Sequence, residues 1–163
     1  MPPKVYIFLK SSYLIRRFSD PESALVIFKG RGAVLSHMPE INLPGYLLLA
    51  PLRHVEDAGR LTREEQEEMA ALQSRAVKTI LKLPDVRKVY IASFGEAVPH
   101  LHLHLFPRTG AMLKDPECLS GGVPDGPKIF DLWRRRLAVP AVPDEVRSLI
   151  LRLREVFNQP FTP

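Results

Sequence analysis

Three histidines alternate with leucines in the segment His100-Leu101-His102-Leu103-His104-Leu105-Phe106, and no other feature of the 163-residue chain constrains its fold as strongly. Strict alternation predicts a β-strand, because successive side chains of a strand point to opposite faces of the sheet. The leucines are then expected to pack on a core. The histidines, about 6.6 Å apart at Cα, are expected to border a polar space, because burying them without partners is costly.

Three imidazoles on one face of a sheet suit two kinds of chemistry. Histidines two positions apart on a strand can share a metal ion. A neutral imidazole is also a competent nucleophile at cellular pH, and neighbouring imidazoles can orient it, donate to phosphoryl oxygens or protonate a leaving group. The strict period of two argues against a third interpretation, in which the histidines share a sheet face without a common role.

The segments before the histidine run predict short strands and one long helix. Apolar runs at residues 5–9, 24–28, 33–36, 45–50 and 89–94 are typical of strands, and a hairpin turn is expected at residues 29–32. Thr62 and Glu65 have the spacing of a capping box, and we expect the helix that follows to stop at Pro84. Because the intervals between strands are mostly too short for parallel crossovers, the sheet should be largely antiparallel. The apolar stripe of the helix comprises Met69, Leu72, Ala76, Ile80 and Leu83.

The composition of the chain changes after Pro107. Half of the 16 prolines lie in residues 107–163, residues 115–127 are typical of a loop, and residues 144–157 predict an amphipathic helix. We therefore divide the chain into a catalytic domain at 1–112 and a Pro-rich extension at 113–163. The extension is expected to pack on the same domain or on the partner of a dimer.

Size, charge and cysteine content narrow the class of protein. A chain of 163 residues can bury one core without disulfides, and the single Cys118 favours a reducing, cytoplasmic location. The net charge of +5 suits an anionic ligand but is too small to predict nucleic-acid binding. No segment approaches the roughly 20 apolar residues of a membrane span, and the first residues do not resemble a signal peptide, so we expect no membrane partner.

The histidine run resembles the motif His-φ-His-φ-His-φ-φ of the histidine-triad (HIT) family, in which φ is apolar. Upstream, the segment LPGYLLLAPLRHV at residues 43–55 resembles the family's P-G-H-φ-L-V-φ-P-x-R-H. The resemblance covers about residues 24–110. It implies an α+β fold in which a HIT-like antiparallel sheet of about five strands packs with a long helix, here followed by a C-terminal helical extension. It also implies a homodimer.

The resemblance further implies a nucleotide hydrolase or nucleotidyl transferase. Its substrate would be a nucleoside phosphoramidate or a dinucleoside polyphosphate, and no cofactor is expected. By position, His102 would attack the α-phosphate and form a covalent nucleotidyl-histidine. His100 and His104 would support it, with His104 facing the bridging oxygen of the leaving group. The expected substrate-binding residues are Gly95, Glu96, His54 and Arg108.

Several positions depart from the family pattern. Tyr46 stands where the family often has histidine, and the Cys pair of zinc-binding members is missing, so we expect no metal. Glu96 and Ala97 replace the usual Gln-Ser/Thr, and Met38 lies near the position that often holds a ribose-binding Asp or Asn. Glu96 is expected either to hold His102 or His100 in one tautomer or to face solvent. Two alternatives therefore stay open: a non-catalytic nucleotide-binding protein, and a metal-dependent hydrolase using the three histidines.

The arginine run Arg134-Arg135-Arg136 lies in the extension, directly after Trp133. We predict a solvated helix face for these arginines rather than a contact with polyphosphate or nucleic acid. Trp133 and Phe130 are predicted to be core or dimer contacts rather than platforms on which a base stacks.

Overall fold

The computed structural model describes residues 24–39, 41–96, 98–139 and 143–160. The strand predicted at residues 5–9 lies outside these ranges. Within them, five antiparallel strands form one sheet in the order β1-β2-β3-β5-β4, which confirms the predicted α+β architecture. The elements in chain order are β1 (Val26–Lys29), β2 (Ala33–His37), β3 (Leu47–Pro51), α1 (Arg63–Ile80), β4 (Val86–Ala92), β5 (Leu103–Thr109), β6 (Leu119–Ser120), β7 (Val123–Pro124), α2 (Gly126–Arg136) and α3 (Asp144–Asn158).

The hairpin between β1 and β2 forms where the sequence predicts it. The amide of Gly30 donates to the carbonyl of Ala33 over 2.8 Å, which closes the turn. The Glu68 carboxylate of α1 accepts hydrogen bonds from the backbone amides of Arg31 and Gly32. The long helix is therefore attached to the turn as well as to the sheet.

Helix α1 begins at the predicted capping box but ends earlier than expected. Thr62 and Glu65 exchange side-chain and backbone hydrogen bonds, so two amides at the helix start are satisfied. The helix ends at Ile80 rather than at Pro84. A proline disfavours helical backbone in the residue before it, so the helix ends before it reaches Pro84.

Strand β5 lies between β3 and β4, but it begins later than the His/Leu alternation suggests. The strand starts at Leu103, so His100 and His102 lie on the segment that leads into it. The backbone amide of Leu101 donates to the carbonyl of Val55 rather than to a strand partner. The predicted alternation of faces nevertheless holds, because Leu101 and Leu105 belong to the main core while His100 and His104 do not.

Helices α1 and α3 cover the leucine face of the sheet. Leu105 and Ile80 are fully buried there, as is Val146 of α3. Arg75 of α1 donates to backbone carbonyls at the end of α3, including that of Val156 at 2.6 Å. This helical layer forms the main hydrophobic core and leaves the opposite face of β5 for the histidines.

The segment from Ala111 to Arg136 covers part of the opposite face. Two 3-10 turns, the short hairpin β6–β7 and α2 pack there around a second core that includes Tyr46, Phe106 and Phe130. This packing brings α2 beside the histidines. Over the described ranges, no helix is both long and apolar enough to cross a membrane.

Candidate active site

The three histidines of the run line one cavity of about 1110 Å³ on the face of the sheet opposite α1. The other walls come from the loop after β2, from β4 and the loop that follows it, and from α2. Hence residues that are far apart in sequence meet around the imidazoles. Apolar atoms supply most of the cavity wall, as in typical small-molecule sites.

His102 is held in one tautomer by its own backbone. Its Nδ1 donates to the carbonyl of His100 over 2.7 Å, so in the neutral ring the proton resides on Nδ1. The lone pair is then on Nε2. The His102 side chain is only partly buried and lines the cavity. A backbone carbonyl, rather than Glu96, therefore fixes the tautomer of His102.

His100 lies deeper in the protein than His102. Its Nε2 donates to the carbonyl of Pro51 over 3.1 Å, and its ring stacks on that of His54 with centroids 5.4 Å apart. Burial, with a smaller contribution from His54, lowers the pKa of His100 to about 4. His100 is therefore a neutral, oriented neighbour of His102 at physiological pH.

His104 is paired with a residue that sequence reasoning did not place in the site. The hydroxyl of Tyr46 lies 2.9 Å from His104 Nδ1, and both side chains are buried. Burial, followed by the charges of His102 and Arg134, lowers the pKa of His104 to about 3. Tyr46 was noted only as a departure from the family pattern, because a sequence does not show that β3 and β5 pair Leu48 with His104.

The tautomer of His104 follows from the groups around Tyr46. Burial raises the pKa of Tyr46, and hydrogen bonding to Arg134 together with its charge opposes this effect. The protonated phenol can donate its hydrogen to His104 Nδ1 over the 2.9 Å that separates them. The proton of neutral His104 then resides on Nε2, where it can be donated to a bound anion.

The predicted substrate-binding residues are not all brought to the cavity. Gly95 and Glu96 line it, Gly95 with a positive φ of 70° that favours glycine. His54 contacts the site through its stacking on His100. Arg108 lies on β5 beyond Phe106 and is not among the residues that line the cavity.

The arginine run is not a uniform solvated face. Arg135 and Arg136 are exposed and paired with carboxylates, but Arg134 is half-buried and lines the cavity. The prediction for Arg134 was therefore wrong, because α2 packs against the site instead of standing away from it. Phe130 is buried in the second core, as predicted, and its ring lies 5.5 Å from that of His104. Its second role as a wall of the cavity has no signal in the sequence.

The histidines are not arranged as a set of metal ligands. In the part of the chain that the structure describes, no group of three or more His, Cys, Asp or Glu side chains could hold a metal ion. The arrangement instead presents oriented imidazoles to a cavity, which suits attack on phosphorus.

Taken together, the fold and the site define an α+β protein whose central sheet carries an imidazole cluster at the wall of a ligand-sized cavity. The HIT domain family model matches residues 20–111, and the chain belongs to this family. It is 31% identical over 104 residues to the AP-4-A phosphorylase of two Mycobacterium tuberculosis strains. That alignment covers 59% of this chain, and the chain spans about half the length of these curated relatives, 52%.

Solved structures agree with this fold. A histidine-triad protein of Sinorhizobium meliloti superposes with a TM-score of 0.59 at 20% identity, covering 80% of this chain and 87% of that one. The diadenosine triphosphate hydrolase of Plasmodium falciparum, solved with Cyclomarin A, superposes with a TM-score of 0.57 at 16% identity. The match covers 86% of this chain and 81% of the hydrolase. At these identities the similarity establishes the fold alone.

Proposed function

We propose that the protein cleaves a nucleoside phosphoramidate or a dinucleoside polyphosphate at the α-phosphate through a covalent bond to His102. The observation that carries this proposal is the 2.7 Å hydrogen bond from His102 Nδ1 to the carbonyl of His100. It directs the lone pair of a partly buried ring to Nε2, at the wall of a cavity large enough for a nucleotide. The similarity to an AP-4-A phosphorylase supports a substrate of this class.

In the first step, His102 Nε2 forms a bond to the α-phosphorus while the bond from phosphorus to the leaving group breaks. A leaving phosphate oxygen departs as an anion, to which the Nε2–H of His104 can donate a hydrogen bond, whereas a leaving nitrogen takes up a proton from solvent and departs as the amine. In the second step, water or another acceptor forms a bond to phosphorus, and the N–P bond breaks. The acceptor releases its proton to solvent, and the electron pair of the broken N–P bond returns to His102 Nε2.

The other site residues are assigned to substrate binding. Gly95 and Glu96 follow β4 at one wall of the cavity, where a backbone in a left-handed conformation can approach a phosphate closely. His54 acts through His100, on which it stacks. Arg108 is retained as a residue that attracts anionic substrates at longer range.

The covalent step is tested by rapid-quench labelling. Diadenosine tetraphosphate and adenosine phosphoramidate, each labelled at the α-phosphate, are mixed with excess enzyme and stopped in alkaline denaturant, because the phosphorus–nitrogen bond of phosphohistidine is labile in acid. Transient label is expected on the peptide that contains His102, and none in His102→Ala. The control His54→Ala should still be labelled. Label on another residue would overturn the mechanism, and tight nucleotide binding without turnover or label would favour a non-catalytic nucleotide-binding protein.

We also infer that two copies associate as a homodimer. Strand β4 forms an edge of the sheet, and Ile91 on it is 46% exposed. An exposed edge with an apolar side chain is suited to pairing with another chain. Light scattering at micromolar concentration should give twice the mass of 18.5 kDa. A monomer at this concentration would contradict the inference.

A further inference from the structure

Arg134 is the residue of the site that the imidazole chemistry does not use. It lies on α2 at the cavity wall, and its guanidinium carbon is 5.1 Å from the centre of the Phe130 ring. Phe130 in turn packs edge-on against His104, with ring centres 5.5 Å apart. The positive charge of Arg134 therefore lies beside His104, on the side of the site away from His100.

The three consecutive arginines of α2 differ in their partners. Arg135 forms an ion pair of 2.6 Å with Asp131, and Arg136 pairs with Asp115 and Glu117. Among the described residues, Arg134 has no carboxylate within ion-pair distance, and its buried Nε has no hydrogen-bond partner. A half-buried guanidinium that lies over an aromatic ring beside a cavity retains donors for an anionic ligand.

Helix α2 holds Arg134 on a rigid element. The side chain of Asp125 caps the start of the helix by accepting from the amide of Lys128. Near its end, Trp133 Nε1 donates to Cys118 Sγ, and the ion pairs of Arg136 attach the last turn. A cation that is fixed in this way can select the position of a charge as well as its sign.

The other charges at the cavity wall do not cancel Arg134. Lys88 is a second cation there, and Asp131 is already paired with Arg135. Glu96, the other carboxylate among the residues that line the cavity, is exposed on the loop after β4. Arg134 is thus a cation of the cavity wall, near His104, that no carboxylate of the described residues pairs with.

We propose that Arg134 binds a phosphate of the leaving group and thereby makes the enzyme favour substrates whose leaving group carries a further phosphate. This inference rests on the proposed function, since the leaving group is defined by attack of His102. A nucleoside phosphoramidate expels an amine and gains nothing from Arg134. A dinucleoside polyphosphate expels a nucleotide, whose phosphates lie on the His104 side of the reacting phosphorus. Helix α2, outside the part of the chain that matches the family model, then selects between the two substrate classes.

Calorimetric binding of two probes that differ by one phosphate isolates this contact. The probes are adenosine monophosphate and α,β-methylene adenosine diphosphate, whose P–C–P bridge cannot be cleaved. Arg134→Gln should weaken binding of the diphosphate probe about 10- to 100-fold, as expected for loss of a charge-assisted hydrogen bond. Its affinity for the monophosphate should hardly change. The matched control is Arg135→Gln, on the next position of the helix, which should alter neither affinity.

Turnover gives an independent measurement. Arg134→Gln should lower kcat/KM for diadenosine tetraphosphate by a similar factor and leave that for adenosine phosphoramidate nearly unchanged, while Arg134→Lys recovers part of the loss. Equal loss for both substrates, or no loss for either, would overturn the inference even if His102 is labelled normally. If His102 is not labelled but Arg134→Gln still weakens binding of the diphosphate probe alone, the proposed function is overturned instead.

If Arg134→Gln does not fold, the role of its charge can be tested in the wild-type protein by changing the salt concentration. Raising the salt concentration from about 50 to 500 mM should reduce the preference of the wild-type protein for the diphosphate probe, because salt screens partly exposed charges. A preference that is independent of salt would contradict a role for the Arg134 charge.

Discussion

Strand β5 and the segment that leads into it, residues 100–109, have two faces with opposite requirements. On one face Leu101 and Leu105 are buried among apolar side chains of α1 and α3. On the other face His100 and His104 are buried almost as deeply, 2% and 5% exposed, but beside a cavity. Burial stabilises the leucines and penalises any charge on the imidazoles.

The difference explains how one strand can serve the fold and the chemistry at once. The leucine face stabilises the position of β5, and each buried leucine contributes roughly 1.5–3 kcal/mol. The histidine face uses that fixed position to orient the imidazoles, each with one ring nitrogen already engaged by a carbonyl or by Tyr46. Mutations on the two faces should therefore separate stability from turnover.

The largest expected effect is on the histidine face. His102→Ala should lower kcat by about 10⁴-fold or more, because removing a covalent nucleophile leaves only binding and electrostatic stabilisation. His100→Ala and His104→Ala should lower it less, by about 10²-fold each. Steady-state kinetics with diadenosine tetraphosphate and with adenosine phosphoramidate measure both effects. Wild-type kcat in His102→Ala would show that the nucleophile lies elsewhere.

On the leucine face we expect a loss of stability with little change in kcat. Leu105→Ala should lower the free energy of unfolding by about 2–5 kcal/mol, because it removes a fully buried side chain and leaves a cavity. At low temperature, where the variant is still folded, kcat should stay near the wild-type value. Denaturant titrations measure the loss, and Leu151→Ala, at an exposed position of α3, is the control. A stable but inactive Leu105→Ala would contradict the separation of the two faces.

Acid should destabilise the protein through its buried histidines. Burial lowers the pKa of His37 from 6.5, that of His100 to about 4 and that of His104 to about 3. The unfolded chain then binds more protons than the folded one, so stability is full above pH 6.5 and falls as the pH decreases towards these values. The loss between pH 7 and 4 should be on the order of several kcal/mol.

Denaturant midpoints measured at intervals from pH 7.5 to 4 check this slope. His104→Asn should flatten the curve. As a control, Glu65→Gln should change the slope only at lower pH, since hydrogen bonding to Arg53 lowers a carboxyl pKa that is ordinarily 4.5. A midpoint that is constant between pH 7 and 5 would mean that the imidazoles are accessible to protons in the folded state.

The antiparallel sheet, the long helix and the histidine triad could be predicted, because short intervals between strands and local patterns indicate them. Period-two alternation requires a two-faced strand, and the spacing of Thr62 and Glu65 defines where the helix starts. The start of β5 was misplaced because the amide of Leu101 is bonded to the carbonyl of Val55, 46 positions upstream. Such a long-range bond leaves no trace in a local pattern.

Tyr46 and Arg134 were not predicted as parts of the site for a related reason. Tyr46 and His104 are 58 positions apart in sequence, and they meet only because β3 and β5 are neighbouring strands. Arg134 reaches the cavity only because α2 packs across the sheet. In sequence, Arg134 is indistinguishable from Arg135 and Arg136, and tertiary packing alone separates them. The division of the chain at residue 112 and the cytoplasmic location stay predictions.

Tyr46→Phe should produce a smaller, selective effect. The variant keeps the ring that packs in the second core, at 5.2 Å from Phe106, and removes only the hydroxyl. Without it the tautomer of His104 is no longer held, and kcat should fall by about 10-fold, the value of one hydrogen bond in a buried site. KM and the melting temperature should change little. Unchanged kcat with lower stability would mean that the hydroxyl has only a structural role.

The smallest expected effect is that of a chelator, and it decides between the two kinds of chemistry that histidines on one face allow. A metal site would need free nitrogen lone pairs converging on one point. Among the described residues, no group of three or more His, Cys, Asp or Glu side chains is placed to hold a metal ion. Activity on diadenosine tetraphosphate and on adenosine phosphoramidate should therefore survive exhaustive dialysis against a chelator, and added zinc should not raise it. Loss of activity that zinc restores would instead identify a metal-dependent hydrolase, and the separation between a packed leucine face and a metal-free histidine face would no longer hold.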